Sequence, residues 1–181
     1  MKVISGILKG RVIKGHDIEG TRPTMDRVKE SLFGSIQNYI RDSAVLDLFA
    51  GSGSLGIEAL SNGAKYVLFN DLNIKCTLSI KENLKKFNIN DRADVFTMDY
   101  KKCLSYILDN KKKFDLIFLD PPYKNRNLND VAKFIYDNDI LNEDGLIIFE
   151  VNELYIDLDY YEKIKSKKYG DKFIVIYKNR K

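Results

Sequence analysis

Between residues 44 and 151 short apolar runs alternate with amphipathic stretches, and few folds accept that rhythm. Strands are predicted at Ala44–Phe49, Tyr66–Asn70, Ala93–Met98, Phe114–Leu119 and Gly145–Val151. Helices are predicted between them at Ser54–Asn62, Asn73–Phe87, Lys101–Asp109 and Leu128–Asp137. Ile74, Leu78 and Leu84 are among the apolar positions of the second of these helices. Strand–helix alternation implies a parallel sheet covered on both faces, because a crossover helix is what returns the chain to start a parallel neighbour. The end of the chain differs. Tyr161–Lys167 and Lys172–Lys178 flank the turn Tyr169-Gly170-Asp171, a hairpin that sets the last strand antiparallel to its neighbour. The expected class is α/β, with a seven-stranded, mostly parallel sheet.

Upstream, residues 2–14 read as two short strands around Gly6 and Gly10, a small β-hairpin. A loop through His16–Pro23 follows, with His16 a surface residue. Thr24 is placed to cap a helix from about Met25 to Tyr39, where Val28, Leu32, Ile36 and Ile40 recur every four residues. One domain is expected over 1–181, with 1–40 an N-terminal extension on a core of 41–181. The length of 181 residues, 44% apolar and 31% charged, suits a single full core. Leu116–Leu119 and Leu146–Phe149 are too short to span a bilayer, and the N-terminus lacks a signal-peptide core. A cytoplasmic monomer without a membrane partner is expected.

Cys76 and Cys103 form no CxxC pair, and the single histidine cannot build a Cys/His zinc site, so no metal is expected and both cysteines read as packing residues. Net charge is only +4, but the basic residues gather at the two ends of the chain. Lys2, Lys9, Arg11, Lys14, Arg22, Arg27 and Lys29 lie in the first thirty positions; Lys163, Lys165, Lys167, Lys168, Lys172, Lys178, Arg180 and Lys181 close the chain. Two basic ends on a nearly neutral protein suit a polyanionic partner. A solvated lysine-rich surface accounts equally well for either end alone.

The segment Asp47-Leu-Phe49-Ala-Gly51-Ser-Gly53-Ser-Leu-Gly56 joins the first central strand to its helix. Ligands in open α/β sheets bind outside the carboxyl ends of the strands, and Gly51 and Gly53 permit a tight turn there. Asp71 closes the next strand at the spacing of a ribose-binding acid. Gly51 to Gly56 also matches GxGxxG, so a nicotinamide-dependent oxidoreductase is a rival reading. Asp47 argues against it: a carboxylate at the cleft would repel a pyrophosphate but suit the ammonium of S-adenosylmethionine. Asp99, at the end of the third strand, suits either the cofactor's adenine amine or the cap of the following helix.

A second acidic strand end follows. Phe114–Leu119 runs into Asp120-Pro121-Pro122-Tyr123, where the prolines stiffen the chain and remove backbone donors. An exocyclic base amine is a poor nucleophile because its lone pair is delocalised. Acceptors on the Asp120 side chain and the Pro121 carbonyl would hold its N–H groups and aim the lone pair. Asp120 would stabilise the positive charge and take the surplus proton, while Tyr123 stacks on the extruded base. A protein carboxamide could be held in the same way. Neither cysteine follows a proline or sits on the ligand edge, which disfavours a covalent cysteine mechanism.

Asp47-Leu-Phe-Ala-Gly-Ser-Gly followed by Asp120-Pro-Pro-Tyr123 resembles Rossmann-like class I amino-methyltransferases. Arg22-Pro-Thr-Met-Asp-Arg-Val-Lys-Glu-Ser-Leu-Phe33 and the opening Ile4-Ser-Gly-Ile-Leu-Lys-Gly-Arg11 are similar to the RsmD family, across essentially the whole chain. The resemblance implies methylation of a guanine N2 in 16S rRNA, on the small ribosomal subunit or an assembly intermediate. It implies Asp47, Phe49, Gly51, Gly53, Asp71 and Asp99 as the S-adenosylmethionine site and Asp120, Pro121, Pro122 and Tyr123 as the catalytic motif. Arg11, Arg22, Arg27 and Tyr123 are the candidate RNA contacts, although Arg22 and Arg27 could equally reach a cofactor carboxylate. In this resemblance Asn70 departs from the apolar residue common before the acid. The same motifs are also compatible with a DNA adenine methyltransferase and with a non-catalytic rRNA assembly factor.

Overall fold

Runs that are apolar at nearly every position bury both faces inside a sheet, while one mixed with polar residues, such as Ala93–Met98, suits a half-exposed edge. In the computed structural model, which describes residues 1–15, 23–121, 128–152 and 158–181, they form five parallel strands. These are β1 (Ala44–Asp47), β2 (Tyr66–Asp71), β3 (Ala93–Thr97), β4 (Phe114–Leu119) and β5 (Leu141–Val151). Helices α2 (Ser54–Ser61), α3 (Ile74–Lys86), α4 (Tyr100–Asp109) and α5 (Leu128–Asp137) connect them, and α1 (Pro23–Ile40) precedes them. The chain closes with the hairpin β6 (Glu162–Tyr169) and β7 (Lys172–Lys178). The strand order is β3-β2-β1-β4-β5-β7-β6, with β7 antiparallel to both of its neighbours. This is the seven-stranded Rossmann-like arrangement expected.

Successive residues of the central strands feed opposite cores. Val45, Phe69 and Phe118 join Ile36, Ile57 and Ile80 on the face covered by α1, α2 and α3. Leu46, Leu68 and Ile117 join Leu104, Ile107 and Ile135 on the face covered by α4 and α5. Cys103 is wholly buried there, and burial pushes its thiol up to about 12, so it holds no thiolate at neutral pH.

Several local expectations shift. Thr24 lies inside α1 rather than capping it, because Pro23 begins the helix; proline's preset φ and missing N–H cost nothing in a first turn. β1 ends at Asp47, where Leu48 and Ala50 turn their N–H groups onto Phe118 and Asn70 carbonyls. β5 starts at Leu141, ahead of the expected Gly145, through an irregularity opposite Phe114 and Leu116 that takes Asp144 to φ 61°. Of the apolar positions read in α3, only Leu84 is buried. Ile74 and Leu78 face solvent, and the stripe Thr77, Ile80, Asn83 and Leu84 faces the sheet. His16, Arg22, Pro122 and Tyr123 lie outside the described residues.

The N-terminal hairpin is reduced to one antiparallel bridge, Lys2 with Val12, and a 3₁₀ turn at Gly6–Leu8 replaces the strand ends. Its anchor is a buried carboxylate. Glu58, fully buried on α2, accepts from the backbone N–H of Ile4 and Ser5 and from Ser5 Oγ. Lys29 of α1 reaches the same carboxylate at 3.0 Å and also donates to Lys2 O and Ser54 Oγ. The segment Arg22–Phe33, which stands out in the sequence for its arginines, thus contributes a lysine that clasps the extension to the core.

Candidate active site

Parallel strands align their carboxyl ends, so residues far apart in sequence meet on one rim. Asp47 ends β1, Asp71 ends β2, Asp99 follows β3 and Asp120 follows β4. Asp47 pairs in register with Phe118, which places the β1 and β4 tips side by side. The carboxylates of Asp47 and Asp120 are close enough to raise the proton affinity of Asp120.

The glycine turn between β1 and α2 has left-handed backbone at Gly51 (φ 52°) and Gly53 (φ 74°), conformations that other residues adopt only with strain. Asp71 straps this turn: its Oδ2 accepts from Gly51 N at 2.8 Å and its Oδ1 from Asn73 N at 2.8 Å. At Gly56 a Cβ would stand 2.2 Å from the Phe69 ring, so the helix can sit this close to β2 only with glycine there. Gly51, in contrast, faces open space.

Asp47 is 2% exposed, and its Oδ2 accepts from Gly56 N at 3.1 Å. Burial raises its carboxyl to about 7; the Gly56 N–H pulls it down and nearby Asp71 pushes it up. The sequence pattern points Asp47 into the cleft. In the structure it lies beneath the glycine turn, as a buried acid that an arriving cation would ionise.

A shallow cleft on the rim is lined by Phe49, Asn70, Asp71, Leu72, Met98, Asp99 and Tyr100. The Phe49 and Tyr100 rings form its wall with centroids 5.5 Å apart. Asp99 borders the cleft and also caps α4, its Oδ1 accepting from Lys101 N at 2.8 Å. Asn70, in the sequence no more than a departure before the acid, holds a larger place in the fold. It is 1% exposed, and its Nδ2 donates to the carbonyls of Leu48 (3.2 Å) and Met98 (3.1 Å), tying the end of β2 to the chain just after β1 and β3. Its Oδ1 is buried with no hydrogen-bond partner among the described residues, an acceptor awaiting a donor. The signal was present: an amide ends the otherwise apolar run Val67-Leu-Phe-Asn70.

Asp120 is partly exposed at residue level, but the protein around its carboxyl desolvates it and raises its proton affinity well above the usual carboxylate range. Glu150 at the end of β5 and Asp47 reinforce that rise, and Lys172 at the start of β7 opposes it. Sequence reasoning does not single out Glu150 and takes Lys172 only as one of the basic residues closing the chain; a carboxylate closing Ile147-Ile-Phe-Glu150 was the available sign. Pro121 is partly exposed beside Asp120. Arg11, beyond the tip of the N-terminal hairpin, and Arg27, on α1, are both exposed, and neither lines the cleft.

A family profile described as conserved hypothetical protein 95 matches residues 1–178. YlbH of Bacillus subtilis is 40% identical, over 99% of this chain and 100% of its own. The ribosomal RNA small subunit methyltransferase D of Haemophilus influenzae is 37% identical, over 84% of this chain and 79% of that protein. Among solved structures, yhhF from Escherichia coli superposes with a TM-score of 0.86 at 28% identity, covering 99% of this chain and 98% of that one. Matching that profile and these relatives along nearly its whole length, the chain belongs to the RsmD family of ribosomal RNA methyltransferases.

Proposed function

We propose that this protein transfers a methyl group from S-adenosylmethionine to the N2 amine of a guanine in 16S rRNA, within the small ribosomal subunit or a late assembly intermediate. The observation that carries this reading is the juxtaposition of two buried or desolvated carboxylates, Asp47 and Asp120, at the adjacent tips of β1 and β4. The residues fit the cofactor chemically: Asp71 in the cleft suits its ribose and the aromatic wall with Asp99 its adenine, while Asp47, buried beneath the glycine turn, suits its ammonium. The orphaned Asn70 Oδ1 supplies a further acceptor there. When bound, the cofactor supplies an activated methyl on a sulfonium.

The chain's own residues do the rest. Asp120 and the Pro121 carbonyl hold the amine and direct its lone pair at the methyl carbon. Positive charge on the nitrogen and on the incoming donor draws Asp120 towards its ionised form, in which it accepts the surplus proton. Transfer is direct and leaves no covalent adduct on the enzyme.

The test is methyl incorporation into small subunits from cells lacking this protein, followed by mass mapping of the 16S rRNA nucleosides. The expected product is one N2-methylguanosine. Asp120→Ala should lower incorporation by about 10²-fold or more while RNA binding stays nearly unchanged. Equal activity in the variant would refute the mechanism. Incorporation into duplex DNA alone, binding of NADH in place of S-adenosylmethionine, or RNA binding with no transfer at all would each replace the reading.

A further inference from the structure

We propose that Glu150 and Lys172 form a charge pair that sets the charge of Asp120, an assignment that rests on the methyl-transfer reading above. The geometry comes from the sheet. β4 and β5 are parallel with Leu119 opposite Phe149, so one further step along both chains brings Asp120 beside Glu150. β7 runs antiparallel to β5 with Phe173 opposite Val151, so Lys172 enters the sheet on the same rim. There its ammonium donates to Glu150 Oε1. The Glu150 side chain is 14% exposed and that of Lys172 34%, so the pair is half-buried on the rim that carries Asp120.

The charges acting on Asp120 among the described residues are Glu150 from β5, Lys172 from β7 and Asp47 from β1; Asp171 acts in turn on Lys172. Two negative neighbours favour a neutral Asp120 and one positive neighbour favours the ionised form. Lys172 shows the reciprocal effect. Burial lowers its proton affinity, but Asp120 and Glu150 outweigh burial and the net direction is up. An ordinary surface ion pair would face solvent alone, whereas this one faces the group that must lose and regain a proton in each turnover.

In the reaction, the amine nitrogen forms the N–C bond as the C–S bond breaks, and that bond's electron pair stays on a neutral thioether sulfur. The surplus N–H proton moves to the Asp120 carboxylate. Asp120, itself partly exposed, then releases it to solvent, and the Glu150–Lys172 pair sets how readily it does so. No other reactant is needed, and Asp120 is ionised again for the next substrate.

The pair predicts opposite effects from its two members. Carboxyl-carbon NMR of aspartate-labelled full-length protein, with Asp120 assigned by the signal lost in Asp120→Asn, reads its titration directly and without RNA. Lys172→Met should raise the Asp120 midpoint and Glu150→Gln should lower it, each by on the order of one pH unit. Lys172→Arg should restore the wild-type midpoint. The acidic limb of kcat/KM for methyl transfer to small subunits should move in the same two directions, with affinity for S-adenosylmethionine held within about twofold. A purely structural pair would weaken both variants without moving the limb. Midpoints that stay fixed, or that move in the same direction in both variants, overturn this inference while leaving an active wild type intact. A wild-type protein that transfers no methyl overturns the reaction itself, while the Asp120 titration still decides on the pair.

Discussion

At the scale of single residues the site is expensive to fold. A buried carboxyl held near 7 in the folded chain and near 3.8 in the unfolded one binds its proton more tightly when folded. Stability from that group is complete below about pH 4. It is lost as pH rises through 7, by as much as roughly 4 kcal/mol. Asp47→Asn keeps the size and an acceptor for Gly56 N, so it should gain stability relative to wild type as pH rises from 4.5 to 8. Urea unfolding across that range measures the gap, and a gap that does not change with pH would mean the acid is not held neutral. The same variant should bind S-adenosylmethionine about 10- to 100-fold more weakly, since a hydrogen bond to a charged group is worth ~1.5–3 kcal/mol. Asp47, Asp71 and Asp120 were legible as residues because each closes a recognisable strand. The raised proton affinity of Asp47 and Asp120 was not, because burial depends on what packs over them.

At the scale of elements, the extension and the core meet through one carboxylate. Glu58 takes two backbone N–H groups, a hydroxyl and the Lys29 ammonium, all from residues more than twenty positions away. Glu58→Ala leaves a buried ammonium without its counter-charge and two backbone donors orphaned, and should cost ~3–5 kcal/mol. Lys29→Met leaves Glu58 with its backbone donors and should cost less. Thermal or urea unfolding of both variants checks the order, and a reversal would show that Lys29, not Glu58, is the anchor. Gly56→Ala tests the neighbouring packing: a methyl 2.2 Å from the Phe69 ring must push α2 off β2 and should destabilise by ~1–3 kcal/mol or more. The α1 periodicity was legible because Val28, Leu32, Ile36 and Ile40 all turn out buried. In α3 the apolar spacing misled, because the helix buries Thr77 and Asn83 and exposes Ile74 and Leu78. Thr77 bonds Thr97 of β3 at 2.6 Å and Asn83 holds both backbone groups of Lys14 in the N-terminal extension, so polar residues are buried where they have partners.

At the scale of the whole molecule, charge is arranged along one edge. β6 is the outermost strand and carries Lys163, Lys165, Lys167 and Lys168. Lysines on an edge strand discourage pairing with another chain, which is reason enough for some of them. β6 also runs parallel to β5, so its end at Tyr169 reaches the rim that holds Asp120 and Lys172, where a polyanion would arrive. Several of these ammonium groups lie over aromatic rings, Lys163 over Tyr177 and Lys168 over Phe173. Replacing Lys163 and Lys168 together by glutamine should flatten the dependence of log K on log salt for RNA binding. The expected change in slope is roughly 0.7–0.9 for each phosphate that a lysine no longer neutralises. An unchanged slope would leave these lysines as guards of the edge alone.

The order of strands and helices, the glycine turn and the acids at the strand ends were determined by local pattern: apolar period, turn chemistry and the position of each carboxylate relative to a strand end. Those signals are short-range, and a parallel sheet converts them into a common rim. The clasp of Glu58 on the extension, the Asn70 tie across the strand ends and the company of Glu150 and Lys172 around Asp120 were decided only by tertiary structure. Each depends on distance through space between residues from different elements, and on the loss of water around them, and neither quantity is written in the order of the chain.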